Sequence, residues 1–295
     1  MERFRQLRSR LTSGPHGGVV AAALLLLGIS CAALAVGALA PTVWRLGVAV
    51  AIVSMGTVQV AALVVLNRLR AKVNDAHYAT SLDAGLERAK YDVPDFFADG
   101  AAGTPSLQLY SLKILLFCRP KAILELGSGQ TTKLLSHYAR QHPEVYVLTL
   151  EQSEAWADRV KDQIAHDYRY VPLAPKTFTC RGTGERVTTR WYADVPDLAT
   201  RKFNYILVDG PDLGGLGTDY TAYSRGGVLE YMPSMLAESF VVMFDDAERA
   251  GEQMTIAAFK RILDASRVRY ASFVIHGIKE QVIICSPDWA FLGSV

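Results

Sequence analysis

The chain has 295 residues, enough for one large domain or two small ones. Half of it is hydrophobic, and its net charge of +2 is too small to argue for nucleic-acid binding. Four scattered cysteines, Cys31, Cys118, Cys180 and Cys285, exclude a zinc-finger spacing and a disulfide framework, and suit a reducing compartment.

The hydrophobic residues are concentrated near the start. Gly18 to Ala40 and Leu46 to Leu66 contain no charged residue. Each run reaches the roughly 20 residues that a helix needs to cross about 30 Å of hydrocarbon. The five residues Pro41 to Arg45 leave room for a tight turn. The pattern predicts two transmembrane helices, 18–40 and 46–66, paired as a hairpin within residues 1–72. A secretory signal is the rival reading, with Ala38-Leu39-Ala40 as its cleavage site. The first run is too long for a signal core, and a second span follows at once. A buried helical pair would show a polar face, and neither run has one. Arg3, Arg5, Arg8 and Arg10 precede the first span, Arg68, Arg70 and Lys72 follow the second, and only Arg45 lies between. The positive-inside rule then places both chain ends in the cytoplasm. These basic residues also suit contact with anionic lipid of the bilayer.

Residues 73–104 read as a connector, helical over Asn74–Lys90 and looped over Tyr91–Pro105. From residue 105 to 295 the hydrophobic period switches repeatedly. A helix is predicted over Ser106–Phe117, a buried strand over Ala122–Leu126, a helix over Thr132–Arg140 and a strand over Val145–Leu150. A helix over Glu154–Tyr168, a third strand over Val187–Tyr192 and a fourth over Tyr205–Val208 follow. Gly227–Ala237 reads as helix, Phe240–Phe244 as a fifth strand and Glu252–Ala265 as helix. Tyr270–Ile275 and Gln281–Cys285 close the chain as an antiparallel hairpin. Alternating strands and helices predict an α/β fold with a mostly parallel sheet covered on both faces.

The first strand runs into Glu125-Leu126-Gly127-Ser128-Gly129-Gln130-Thr131-Thr132. Glycines at a strand-to-helix turn let the backbone approach a ligand closely. A dinucleotide fingerprint would place a third glycine at Thr132. Glu125, two residues before Gly127, completes an E-x-G-x-G pattern, and with the terminal hairpin the domain resembles the class I S-adenosylmethionine-dependent methyltransferases. The resemblance covers roughly residues 105–285. It implies a Rossmann-like sheet of seven strands and a cofactor, S-adenosylmethionine, held by Glu125, Gly127, Ser128 and Gly129. Glu151, at the end of the second strand and 22 residues beyond Gly129, would accept the ribose hydroxyls. Asp194, near the end of the third strand, would meet the adenine. The bland alternative is that Gly127 and Gly129 only make a tight turn.

The fourth and fifth strands end in Val208-Asp209-Gly210-Pro211 and Phe244-Asp245-Asp246. As neighbours about 4.8 Å apart they would bring Asp209, Asp245 and Asp246 to one edge. Crowded carboxylates call for a counter-ion, and a divalent cation such as magnesium prefers oxygen ligands. The positions resemble those of caffeoyl-coenzyme-A- and catechol-type metal-dependent O-methyltransferases, with Asp-Asp where these carry Asp-Asn. Val208-Asp209-Gly210-Pro211 with Arg225 also resembles glucuronoxylan O-methyltransferases, which implies a sugar hydroxyl as acceptor. A metal on Asp209, Asp245 and Asp246 would acidify that hydroxyl. Without one, Asp209 or Asp245 would be the general base. The alternative is that Asp245 or Asp246 caps a helix and Asp209 makes a turn. Arg225 and Arg249 would hold an anionic substrate or be solvated, and Tyr220, Tyr223 and Tyr231 would stack a sugar or pack the core. His276 is a further candidate base.

The expected protein is therefore a membrane-anchored O-methyltransferase whose acceptor is a glycan or a lipid-linked sugar. Alternatives are an O-methyltransferase for a small molecule or lipid head group, and a silent cofactor-binding docking module.

Overall fold

The computed structural model describes residues 41–92, 103–212 and 222–294. The chain divides into two compact units, Met1–Ala71 and Lys72–Val295. Helix α1 (Pro41–Ala89) opens on a proline at its first helical position, where the missing N–H costs nothing. Among the described residues it is the one helix long and apolar enough to cross a membrane. Several large side chains of its apolar stretch are exposed, Ile52 at 62% and Leu66 at 60%. Two expectations need amendment. Pro41–Arg45, expected as a turn, is the start of α1. The first expected span, 18–40, lies outside the described residues, so the described chain shows one apolar helix rather than two.

In the second unit, α2 (Pro105–Lys113) is capped by Thr104, whose hydroxyl accepts from Leu107 N, and passes into a wider turn at Ile114–Cys118. Then come β1 (Ala122–Leu126), α3 (Gln130–Gln141), β2 (Tyr146–Glu151), α4 (Glu154–Val160) and β3 (Asp167–Tyr170). An inserted pair, β4 (Leu173–Thr179) and β5 (Arg186–Tyr192), forms its own antiparallel two-stranded sheet. A short helical turn, α5 (Asp197–Thr200), leads to β6 (Phe203–Val208). A 3-10 segment (Gly226–Tyr231), β7 (Leu236–Phe244), α6 (Ala250–Ala265), β8 (Ala271–His276) and β9 (Glu280–Cys285) follow.

The main sheet has seven strands in the order β3-β2-β1-β6-β7-β9-β8. β3, β2, β1, β6 and β7 are parallel, and β9 runs antiparallel to both its neighbours, β7 and β8. This is a Rossmann-like sheet of seven strands, with the expected terminal hairpin. Its strands are apolar on both faces because side chains alternate across a strand. Leu124, Leu126, Leu148, Leu150, Val208 and Phe244 enter one buried cluster. Ile123, Val147, Tyr205, Leu207 and Met243 enter the other, beneath α2 and α3.

Several elements differ from the sequence-based expectation, β4 among them, over which no strand is predicted. The third strand of the main sheet is β3; Val187–Tyr192 belongs to the inserted pair. The helix expected over Glu154–Tyr168 stops at Val160, and its last residues are strand. Of the helix expected over Gly227–Ala237 only a 3-10 segment ending at Tyr231 forms, and Leu236 and Ala237 begin β7. There Gly227 lies so close to Trp191 that a Cβ would come within 2.0 Å of the indole.

Candidate active site

The carboxyl edge of the sheet is laced one residue beyond each strand. Gly127 N donates to Leu150 O, Asp209 N to Leu126 O and Asp245 N to Val208 O, at 2.9, 2.9 and 3.1 Å. The β1–α3 turn, Glu151 and the acidic pair therefore share one rim, as expected. Gly127 takes the left-handed region (φ +85), and a Cβ there would fall 2.8 Å from Gly210 N. The glycine is thus required by the protein's own packing. Gly129 N donates to Thr132 Oγ1 at 2.8 Å, which gives the threonine in the third-glycine position a capping role.

Glu125 points beneath the turn and is fully buried. Its oxygens accept from Thr131 Oγ1 at 2.5 Å and Thr149 Oγ1 at 2.8 Å. Burial pushes its carboxyl up to about 7, against the pull of the threonine hydrogen bonds. Thr149 Oγ1 also lies 2.8 Å from His166 Nε2, and burial pushes that imidazole down to about 4. Glu125 thus organises the turn through hydroxyls. Thr149 and His166 went unnoticed in the sequence because they lie mid-strand and in a loop.

Glu151 is buried against the same turn. Its Oε2 accepts from Ser128 N at 2.8 Å and Ser128 Oγ at 2.7 Å, and its Oε1 from Ser153 N at 2.7 Å. A carboxylate offers about four lone-pair sites, so acceptor capacity remains on Oε1 for a further donor. Ser128 Oγ also lies 3.0 Å from Tyr168 Oη, a β3 residue that the sequence reading placed in a helix. At the first position of α3, Gln130 Oε1 is buried with no hydrogen-bond partner, an orphaned acceptor beside the turn. Asp194 needs correction. It is exposed, and it follows β5 of the inserted sheet rather than the third strand of the main one. The reason for placing it at an adenine no longer holds.

At the acidic edge, one oxygen from each of Asp209, Asp245 and Asp246 lies within 4.8 Å of the others. Their surroundings differ. Asp209 keeps 21% of its side chain exposed, whereas Asp245 keeps none and Asp246 3%. Asp245, expected as a metal ligand or general base, is thus the most enclosed of the three. Its Oδ1 accepts from Gln281 Nε2 at 2.8 Å. Asp246 holds a left-handed backbone (φ +55), which Asp tolerates better than most residues. Burial, and then the charge of Asp245, push the Asp209 carboxyl well above the ordinary range, although Arg225 pulls the other way.

Arg225 is neither a substrate clamp nor a solvated charge. It is buried, and it donates from Nη1 to Asp245 O at 2.8 Å and from Nη2 to Asp246 Oδ2 at 2.7 Å. It also lies 3.4 Å from Asp209 Oδ1 and, through Nε, 3.5 Å from Glu252 Oε1. Arg249 is half exposed and reaches Asp246 Oδ2 at 3.0 Å. Lys279, on the β8–β9 turn, went unnoticed in the sequence. Its Nζ lies 3.5 Å from Asp245 Oδ2 and 3.1 Å from Asp246 Oδ1. His276 is exposed and paired with Glu280. Tyr223 donates to Glu185, and Tyr231 meets Lys176 Nζ at 2.8 Å, so both brace the inserted sheet. Tyr220 lies outside the described residues.

A divalent cation would need several of these oxygens at about 2.0–2.6 Å. The spacing of Asp209, Asp245 and Asp246 suits one, but the charges around them do not. The Asp245 and Asp246 oxygens that face each other's side carry the Lys279 ammonium, and the second Asp246 oxygen carries two arginines. Asp209, Asp245, Asp246 and Glu252 thus meet Arg225, Arg249 and Lys279, four acids against three cations. Lys279 Nζ thus lies beside the two oxygens, Asp245 Oδ2 and Asp246 Oδ1, that such an ion would use.

No family model matches the chain, and no curated protein matches its sequence. Among solved structures it is similar to a candidate O-methyltransferase from Klebsiella pneumoniae, at 14% identity over 74% of this chain and 98% of that one, with a TM-score of 0.45. It is also similar to the O-methyltransferase TomG from Streptomyces achromogenes in complex with SAM, at 16% identity over 74% and 98%, TM-score 0.43. A third is the O-methyltransferase from Bacillus cereus in complex with SAH, at 15% identity over 74% and 99%, TM-score 0.43.

Proposed function

We propose that the chain is an S-adenosylmethionine-dependent O-methyltransferase, anchored to a membrane by α1, whose acceptor is the hydroxyl of a glycan or lipid-linked sugar at the cytoplasmic face. The observation that carries the reading is the rim itself. In a class I methyltransferase sheet it brings the Gly127 turn, the Glu151 carboxylate and the half-open Asp209 side by side. The ligand-binding crevice of such sheets lies at this carboxyl edge. The orphaned Gln130 Oε1 and the remaining acceptor capacity of Glu151 suit a ligand rich in hydroxyl and amino donors.

When bound, S-adenosylmethionine supplies an electrophilic methyl on a sulfonium sulfur. Glu151 would accept the ribose hydroxyls, and Gln130 with the first N–H groups of α3 would hold the amino-acid end. Asp209 would take the proton as the acceptor oxygen gains its methyl; a base raised well above the usual carboxylate range suits a weakly acidic hydroxyl. Asp245, Asp246 and Arg225 would fix Asp209 from behind. Alignment supplies most of the remaining rate. The exposed apolar length of α1 and the basic residues Arg68, Arg70 and Lys72 support the anchor and its orientation.

Calorimetry on the full chain in detergent tests the reading. S-adenosylhomocysteine is expected to bind with micromolar affinity, and Glu151→Ala to weaken it by about tenfold or more, on the order of one charge-assisted hydrogen bond. Full affinity in Glu151→Ala would remove the assignment.

A further inference from the structure

We propose that the Lys279 ammonium is the built-in cation of the acidic edge, standing where a divalent ion shared by Asp245 and Asp246 would stand, so that this site works without a metal. The inference rests on the methyltransferase reading for the reaction alone; the geometry stands by itself. Asp245 Oδ2 and Asp246 Oδ1 are both buried, and neither has a hydrogen-bond partner among the described residues. Each has Lys279 Nζ within 3.5 Å. A lysine ammonium is a compact point charge with three donors, able to serve two carboxylates and still present one donor outward. The Lys279 side chain keeps 20% of its surface exposed, so its outer side borders the rim.

The ammonium is also delivered by a fixed backbone. Asp75 accepts from Ile278 N at 3.2 Å, and Asn74 Nδ2 donates to His276 O at 2.9 Å, so α1 holds one side of the turn. Gly277 is packed so tightly there that a Cβ would fall 2.4 Å from Asp75 Oδ1. On the other side, Ala247 N donates to Glu280 O at 2.9 Å and Glu280 N to Glu248 Oε2 at 2.9 Å. The turn is thereby clamped between α1 and the segment that carries Asp245 and Asp246. A cation placed this way needs no binding equilibrium, whereas a metal ion would first have to displace a tethered charge. Lys279 acts through the carboxylates and is a positioning residue.

The experiment uses the full chain in detergent and manganese alone as probe, with bound ion read from the loss of the free-ion paramagnetic resonance signal. Wild type is expected to take up no Mn²⁺ in a manner weakened by Asp209→Asn. Lys279→Met is expected to take up one Mn²⁺ per chain, lost again in the Lys279→Met, Asp209→Asn double variant, and Lys279→Arg is expected to behave as wild type. If Lys279→Met does not fold, Lys279→Gln keeps the stem and a polar head and is expected to give the same gain. Asp209-dependent Mn²⁺ uptake by wild type would overturn the proposal, and so would a folded Lys279→Met or Lys279→Gln chain that takes up none. Wild-type methyl transfer is expected to survive chelation, and its loss would equally overturn the proposal. An enzyme without methyl transfer leaves the manganese arm intact, so failure of the two readings is distinguishable.

Discussion

Gly127 and Gly210 meet backbone to backbone, on the loops that leave the neighbouring strands β1 and β6: a Cβ added to Gly127 would fall 2.8 Å from Gly210 N and 2.9 Å from its Cα. Neither loop can retreat, because Gly127 N is bonded to Leu150 O and Asp209 N to Leu126 O.

Gly127→Ala is therefore expected to destabilise the fold by more than its conformation alone requires. The left-handed backbone costs a side chain about 1–2 kcal/mol. Gly184 is also left-handed (φ +72) but has nothing within 4 Å of a Cβ, so Gly184→Ala carries the conformational cost alone. Chemical denaturation of the two variants is expected to show the larger loss for Gly127→Ala, with weakened S-adenosylhomocysteine binding as well. Equal losses would mean that the Gly210 contact yields without cost.

Asp209 is expected to set the acidic limb of the rate profile. Its carboxyl is pushed well above the ordinary range by burial and by Asp245, and a base works only when ionised. The kcat/KM value is expected to rise with pH along a limb lying well above the usual carboxylate region near 4. Asp209→Asn is expected to lower kcat by roughly 100-fold or more while leaving cofactor binding, which belongs to β1 and β2, near wild type. A flat profile with a fully active Asp209→Asn enzyme would move the proton to another acceptor.

Glu125 is expected to leave a mark on stability. Burial, first among the causes, pushes its carboxyl up to about 7 in the fold from an ordinary 4.5. An acid whose folded value is raised contributes stability that is fully present below about 4.5 and is lost as pH rises through about 7. The loss over that window is up to about 3 kcal/mol, since each pH unit of displacement is worth about 1.4 kcal/mol. Glu125→Gln keeps the shape and cannot ionise, so its stability is expected to change less between pH 4.5 and 7 than that of wild type. Denaturant midpoints across the range measure this, and parallel curves for the two proteins would exclude a raised Glu125.

Much of this was legible in the sequence because the β1, β2, β6, β7 and β9 cores are continuous apolar runs, and because glycines and aspartates mark the ends of β1, β6 and β7. β3 was not legible. Asp167-Tyr168-Arg169-Tyr170 is short and polar, and Trp156, Val160 and Ile164 continue a helical spacing toward it. β4 was not legible either, with Pro172 just before it and Pro175 within it; Pro175 is tolerated because the inserted sheet has only two strands and each keeps a free edge. The edge acids were visible, but their cations were not. Arg225 and Lys279 look like surface charges until the chain returns them to segments far away in sequence. No local pattern encodes that the partners of Arg225 are residues 208, 209, 245, 246 and 252.

The order of these groups along the chain bears on how the protein emerges during synthesis. Asp209 is made first, Arg225 next, then Asp245, Asp246, Arg249 and Glu252, and Lys279 last, on the hairpin that inserts β9 between β7 and β8. Until that hairpin is added, two carboxylates lack their ammonium and β7 has an open edge. A chain released before residue 279 would carry the glycine turn, Glu151 and Asp209 on an unbalanced and unprotected sheet. The final hairpin thus completes the rim's charge and seals the β7 edge in the same act of translation.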